Sequence, residues 1–164
     1  MRYGIDDTWF ARKTGELHKG MYVLAISILK NEADAEDAMQ NALMLAYRNL
    51  DKLHFFERFK PWLFKILTNE CYKILNSRRN CEDIENCPEE AAAGGADAET
   101  RLTLWRAVEA LPEDYRIVTV LFYYEDMKIG EIASALDISA DTVKKRLSRA
   151  REKLRGVLDE EDFT

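Results

Sequence analysis

Apolar residues recur at Leu17, Met21, Leu24 and Ile28, the three- and four-residue spacing of one helix face. Asn31 suits the end of that helix, and Asp34 with Asp37 three residues on has the arrangement of an N-terminal cap. A second helix is predicted to run to about Leu50. It buries Ala38, Met39, Ala42, Leu43, Ala46 and Tyr47 and turns Asp37, Gln40, Asn41, Met44 and Arg48 outward. Pro61 fits the first turn of a third helix that reaches about Arg79. Further on, Leu102, Trp105, Val108 and Leu111 mark another helix. Pro112 opens the next, with Ile117, Val120, Leu121 and Tyr124 on its inner face. Strand signals are nearly absent, so the pattern predicts an all-α chain.

The segment Lys128-Ile-Gly-Glu-Ile-Ala-Ser-Ala-Leu-Asp-Ile-Ser-Ala-Asp-Thr-Val-Lys-Lys-Arg has a more particular form. Ile132, Ala133 and Leu136 pack one short helix, with small Ala133 allowing a close crossing. Asp137 and Ile138 make a tight turn, and Ser139 caps a final helix. This is the outline of a helix-turn-helix, whose second helix enters the DNA major groove. On that helix Val143, Leu147, Ala150 and Leu154 share the inner face. Lys145, Ser148, Arg149 and Glu152 lie opposite, with Lys144, Arg146 and Arg151 on the flanks. Seven basic residues and one acid, Glu152, fall between Thr142 and Arg155.

Charge changes the picture, because the net charge of −6 conceals its layout. Residues 1–80 hold 13 basic and 10 acidic residues, and residues 101–164 hold 11 and 13. Between them, Glu82, Asp83, Glu85, Glu89, Glu90, Asp97 and Glu99 stand with no basic residue at all, beside Pro88, Ala91–Ala93 and Gly94–Gly95. Such a stretch cannot bury a core. It reads as a linker, 81–100, between domains at 1–80 and 101–164. At 164 residues the chain has room for two small domains. No apolar run approaches the roughly 20 residues of a membrane span, so no membrane insertion is expected. Asp6 and Asp7 in the first ten residues do not suit a signal peptide. Three cysteines, Cys71, Cys81 and Cys87, are too few for a disulfide framework and point to the cytoplasm.

Between Leu50 and Cys71, Phe55, Phe56, Phe59, Trp62 and Phe64 are interleaved with Lys52, Arg58, Lys60 and Lys65, and Tyr72, Lys73, Arg78 and Arg79 follow. Aromatic rings stack on unpaired bases while cations hold phosphates. The competing reading is a plain core, since Phe59, Trp62 and Ile66 fall at helical spacing. His54, Phe55 and Phe56 precede the helix and are harder to explain that way.

Three segments in this order resemble the extracytoplasmic-function group of the sigma-70 family. They are Asp34-Ala-Glu-Asp-Ala-Met-Gln-Asn, Phe59-Lys-Pro-Trp-Leu-Phe-Lys-Ile-Leu-Thr-Asn, and a third built of Leu111-Pro-Glu-Asp-Tyr-Arg, Glu131-Ile-Ala and Asp141-Thr-Val-Lys-Lys-Arg-Leu-Ser-Arg-Ala-Arg. The resemblance spans residues 8 to 158. It implies two helical domains, sigma domain 2 and sigma domain 4, and partners in core RNA polymerase (the β′ clamp and the β flap), promoter DNA and an anti-sigma factor. It implies that Asp37, Gln40, Asn41, Met44 and Arg48 face the β′ clamp. Phe55, Phe56, Arg58, Lys60, Trp62, Lys65, Asn69, Lys73, Arg78 and Arg79 then open and read the −10 element, gripping a flipped base. By the same resemblance, Thr142, Lys144, Lys145, Arg146, Ser148, Arg149 and Arg151 are expected to read the −35 element, and the acidic linker to run toward the RNA exit path. The chain departs from the family pattern at Asn41, where an acid is usual, at Leu45, in the loop Leu53-His-Phe-Phe-Glu-Arg, which lacks Gly and Ser, and at Asp137, where Gly is frequent.

Two rivals remain beside this reading. A polymerase-independent regulator accounts for the helix-turn-helix but not for the aromatic loop or the linker. An enzyme or zinc protein would need Cys81 and Cys87 with His54 or His18, a spacing too wide for a metal site. No phosphate loop, nucleophile elbow or paired catalytic carboxylate is visible, so no cofactor, metal or catalytic residue is expected.

Overall fold

The computed structural model describes residues 7–80 and 99–162. The chain divides into two compact units, Met1–Glu90 and Ala91–Thr164. Every regular element among the described residues is helical.

The first unit is built on α1 (Asp7–Leu29), α2 (Glu32–Arg48) and α3 (Phe59–Asn80). Met21, Leu24, Ala25 and Ile28 of α1 meet a row of small side chains on α2, where Ala35, Ala38, Ala42 and Ala46 are buried beside Met39. Such a row lets helix axes approach closely. The third helix packs on both others. It therefore buries Phe59, Leu63, Phe64, Leu67, Thr68, Glu70 and Cys71 over a wide face. Each fully buried Leu or Phe there is worth about 1.5–3 kcal/mol.

Lys30 ends α1 in the left-handed region, at φ 53°. The cap of α2 is Asn31, whose Oδ1 accepts from the Asp34 N–H at 2.9 Å. The sequence pattern placed this cap at Asp34 and used Asn31 to close α1. Asn31 can serve because its extended backbone and short amide side chain suit an N-cap. Asp34 instead sits in the first turn of α2 and pairs with Arg78. Two further expectations for α2 change. Leu43 is only half-buried, and Tyr47 is 49% exposed. The Tyr47 hydroxyl donates to Asp7 Oδ1 at 2.7 Å, so its polar tip reaches back to the start of α1. After α2 the chain makes short 3-10 turns at Leu50–Lys52 and Phe56–Arg58 before α3.

The second unit comprises α4 (Glu99–Glu109), α5 (Glu113–Thr119) continued by a π-helical turn (Val120–Tyr124), α6 (Ile129–Leu136) and α7 (Ala140–Asp162). The helix α4 begins at Glu99, inside the segment expected to be linker; residues 81–98 lie outside the described residues. Arg116 is buried, and its Nη1 donates to the Leu111 carbonyl at 3.0 Å and the Glu109 carbonyl at 3.3 Å, closing the end of α4. Ile117, Val120 and Leu121 are buried as expected, but Tyr124 is 57% exposed. The Glu125 N–H reaches Val120 O, five residues back. That wider turn rotates Tyr124 away from the inner face.

In α6, Ile132 and Ala135 are the buried residues, whereas Ala133 and Leu136, expected at the core, are half-buried. The short helix presents a different edge to its neighbours than the three-residue pattern implied. Asp137 adopts φ 58°, ψ 45°, and its N–H bonds to the Ala133 carbonyl. Asp is one of the few residues other than Gly that visit this region routinely. Ser139 then caps α7, accepting from the Thr142 N–H at 3.1 Å. Val143, Leu147 and Ala150 are fully buried, with Leu154 half-buried behind them.

Candidate nucleic-acid and polymerase interface

Along α2, Asp37, Gln40, Asn41, Met44 and Arg48 are all exposed. At 100° per residue they fall within an arc of about 100° opposite the alanine row. Met44 is 53% exposed, an apolar centre in a polar stripe.

The ten residues grouped by sequence around α3 do not share one surface. Trp62, Lys65, Asn69 and Lys73 fall within an arc of about 80° along one side of the helix. Asn69 and Lys73 are exposed, and Trp62 and Lys65 half-buried. Lys60 and Arg78 lie on the far side, roughly 170° round. Arg78 is spent inside the unit: it pairs with Asp34 Oδ2, and its Nη1 donates to the Leu29 carbonyl at 3.0 Å. It thereby ties the end of α3 to the junction of α1 and α2. Arg79, next along, is exposed.

The aromatic loop is ordered from an unexpected direction. Trp9, in the first turns of α1, sits 5.5 Å from the Phe56 ring and 5.1 Å from Phe59. Phe10 packs edge-on to Tyr47 at 5.4 Å. Phe59 is core, at 2% exposure, and Phe64 is fully buried, so the core reading holds for these two. It does not hold for Phe55, which is 60% exposed with the Arg58 guanidinium 5.6 Å from its ring centre. Phe56, at 47%, is exposed on one face and packed on the other. Trp9 and Phe10 carry no local signal of this role, because they precede the first clear periodicity at Leu17.

A groove of about 430 Å³ runs between α2 and α3, lined among others by Leu45, Asn49, Asn69, Glu70, Lys73 and Asn76. Glu70 is 7% exposed and receives the Lys73 ammonium at 2.9 Å. Asn69 and Lys73 therefore belong both to the outward stripe and to the groove.

On α7, Lys144, Lys145, Ser148, Arg149 and Glu152 are exposed. Arg146 and Arg151 stand about 110° to either side of the middle of the Lys145, Ser148, Arg149 and Glu152 arc, with Lys144 on the Arg151 flank. Both are half-buried and engaged. Arg146 Nη2 lies 3.8 Å from Asp114 on α5. Arg151 Nε–H donates to the Tyr123 hydroxyl at 2.7 Å, and its guanidinium lies 5.7 Å from the Phe122 and Tyr123 ring centres. Thr142 is half-buried, and its hydroxyl lies 2.8 Å from that of Ser139.

No group of three or more His, Cys, Asp or Glu residues that could hold a metal occurs among the described residues. Cys81 and Cys87 lie outside them. Cys71 is fully buried, and desolvation, followed by the charge of Glu70, pushes its thiol up to about 12, far from the reactive thiolate. No described helix is long and apolar enough to cross a membrane.

A three-helix unit with an exposed polar stripe and an aromatic-basic edge, joined in one chain to a helix-turn-helix unit, is the arrangement of a helical nucleic-acid-binding protein, and the chain's relatives narrow that class. The sigma-70 region 2 family matches residues 16–81, and the sigma-70, region 4 family matches residues 101–154. RNA polymerase sigma factor SigV of Bacillus subtilis is 31% identical over 144 residues, covering 87% of this chain and 87% of SigV. ECF RNA polymerase sigma factor SigW of the same organism is 33% identical over 153 residues, 82% of this chain and 81% of SigW. Among solved structures, the sigma factor RpoE from Bartonella quintana, in complex with the anti-sigma factor NepR, matches with a TM-score of 0.73 and 28% identity, over 92% of this chain and 96% of that one. The chain belongs to the extracytoplasmic-function group of the sigma-70 family. It is an RNA polymerase sigma factor, acting in promoter recognition and transcription initiation.

Proposed function

We propose that three surfaces divide this work. The α2 stripe of Asp37, Gln40, Asn41, Met44 and Arg48 docks on the β′ clamp of core polymerase. The loop at Phe55 to Arg58, with Trp62, Lys65, Asn69 and Lys73, opens and reads the −10 element. The outward face of α7, Lys144, Lys145, Ser148 and Arg149, reads the −35 element. In this scheme residues 1–80 act as sigma domain 2 and residues 101–164 as sigma domain 4, which also meets the β flap. The acidic segment 81–100 joins them and imitates RNA near the exit path. Lys60, Arg78, Arg146 and Arg151 support these surfaces from behind or from the side.

The observation that carries this reading is the pairing of one exposed aromatic, Phe55, beside a cation with a capped helix whose outward face is basic. The first is chemistry for an unpaired base and the second for a groove. A polymerase-independent regulator would have no use for the aromatic loop. The chain carries out no catalysis of its own and works in the cytoplasm. Its release from a sequestering anti-sigma partner is the natural control, because the similar sigma factor RpoE of Bartonella quintana was crystallised with one.

Pull-down with core polymerase, followed by transcription from a promoter library, tests the whole. Asp37→Arg tests the docking stripe. It leaves stability within about 0.5 kcal/mol, as exposed substitutions do, and weakens polymerase binding. Unchanged binding by Asp37→Arg places the docking surface elsewhere.

A further inference from the structure

The recognition helix is held to one arm of its unit by two side-chain contacts. Arg146 meets Asp114 near the start of α5, and Arg151 meets Tyr123 on the π-helical turn that continues it. The two differ in quality. Asp114 is largely exposed and 3.8 Å away, a pair that solvent screens. The Arg151 contact is specific: a 2.7 Å charge-assisted hydrogen bond from Nε, with the guanidinium set against two rings. Phe122 and Tyr123 are themselves packed edge-on at 4.9 Å, so the rings form a fixed seat.

We propose that Tyr123 and Arg151 are positioning residues for −35 readout: the Tyr123 hydroxyl and the Phe122–Tyr123 seat hold Arg151, and through it fix the rotation of α7, so that Arg151 is not a phosphate contact. The inference rests on the sigma-factor reading of α7. Three features support it. Arg151 lies on the flank of α7 beside Lys144, about 110° from the middle of the Lys145, Ser148, Arg149 and Glu152 arc, and its guanidinium turns to the seat. The hydrogen-bonded atom is Nε, on the stem side of the guanidinium, so the bond fixes the side chain along its length. The seat lies in the π-helical turn, where Tyr123 is 53% exposed and its hydroxyl reaches Arg151 of α7. Buried contacts at Val143, Leu147 and Ala150 hold α7 in place but are an apolar stripe, which tolerates small rotations. A directional bond off that stripe selects one rotation and so decides which base edges Lys145 and Arg149 meet.

The test uses holoenzyme reconstituted with excess core polymerase and the parent chain, Tyr123→Phe, Arg151→Ala, Arg151→Lys or the double variant Tyr123→Phe/Arg151→Ala. Promoter duplexes carrying −35 substitutions are bound between about 50 and 200 mM salt. Tyr123→Phe removes only the hydroxyl. It and Arg151→Ala should each weaken the parent −35 sequence by about two- to tenfold, the worth of one hydrogen bond, and flatten the preference among −35 variants. The double variant should be no worse than Arg151→Ala, and the salt dependence should keep the parent slope. Arg151→Lys should fail as Arg151→Ala does, since lysine has no Nε–H on a planar head. A phosphate contact would read differently: Arg151→Ala would lower the slope by about 0.9, Arg151→Lys would restore binding, and Tyr123→Phe would change nothing. That pattern overturns the proposal, as does loss of melting temperature with −35 preference intact. The parent holoenzyme's own promoter preference tests the sigma reading, and the ratios of variant to parent test the seat.

Discussion

The helices α3 and α7 are nearly equal in length, 22 and 23 residues, and both are rich in cations, yet α3 buries a much wider face than α7. Packed on two neighbours, α3 is buried over a wide face, and along most of its length a narrow stripe, Trp62, Lys65, Asn69 and Lys73, is left toward solvent. The helix α7 gives one apolar stripe to its unit and leaves a broad face open. The difference fits two kinds of nucleic acid. A duplex groove admits a whole helix face, so a helix that buries only one narrow stripe suits it. An unpaired strand needs a few rings and cations at an edge, which a helix buried over a wide face can supply where the adjoining loop leaves it. Cation count alone does not distinguish the two; the width of face each helix buries does.

The largest effect should come from cutting into the wide buried face of α3. Phe64 is fully buried there. Phe64→Ala should destabilise the first unit by about 3–5 kcal/mol, the cost of a large buried aromatic. Asn69→Ala on the exposed stripe of the same helix should stay within about 0.5 kcal/mol. Denaturant unfolding followed by circular dichroism measures both. Similar small values for the two would mean that α3 is not the core helix described.

The aromatic edge comes next. Phe55 is 60% exposed with the Arg58 guanidinium beside its ring, whereas Phe56 leans on Trp9. Loss of a stacked base is worth roughly 1–3 kcal/mol. Phe55→Ala should slow promoter opening by that amount with stability unchanged, read by permanganate reactivity of the −10 region. Phe56→Ala should lower stability as well. Equal stability losses for both would return Phe55 to the core.

On the groove side, Arg149 stands in the outward face and Arg155 further along the helix, also exposed. An arginine on a guanine edge carries roughly 1–3 kcal/mol of discrimination. Arg149→Ala should relax preference at one −35 position. Arg155→Ala should weaken every sequence alike and reduce the salt slope by roughly one. A binding screen over −35 variants separates them. Uniform loss with Arg149→Ala would remove it from base readout.

Much of this was legible in periodicity. The outward sets on α2 and α7 follow from 100° per residue, and each of the α2 set is exposed, as are Lys145, Ser148, Arg149 and Glu152 on α7. What periodicity could not show were contacts between elements far apart in sequence. Arg78 looked like one more cation near Arg79 until Asp34 and Leu29 came beside it. Trp9 has no local signal that it will brace Phe56. Tyr124 was misplaced because the wheel assumes a regular α-helix and the chain makes a π-helical turn there. Local rules describe a side chain's direction from its own helix; they contain nothing about what stands opposite.

The smallest effect tests the junction that aims α7. Asp137 supplies the left-handed turn, and Ser139 supplies the first acceptor of the following helix, taking the Thr142 N–H at 3.1 Å while its own carbonyl takes that of Val143. Only the first of these bonds depends on the side chain. Ser139→Ala should therefore cost about 1 kcal/mol in the second unit, the usual worth of an N-cap, and leave the first unit unaffected. The Thr142 hydroxyl, 2.8 Å from the serine oxygen, loses the same partner, so Thr142→Ala in the Ser139→Ala background should add less than it does alone. Because fraying at the cap reaches the first turn before Lys145 and Arg149, amide exchange should quicken at Thr142 and its neighbours while the stretch around Leu147 and Ala150 stays protected. Exchange rising equally along the whole of α7 would show that Ser139 holds the entire helix in place rather than its first turn.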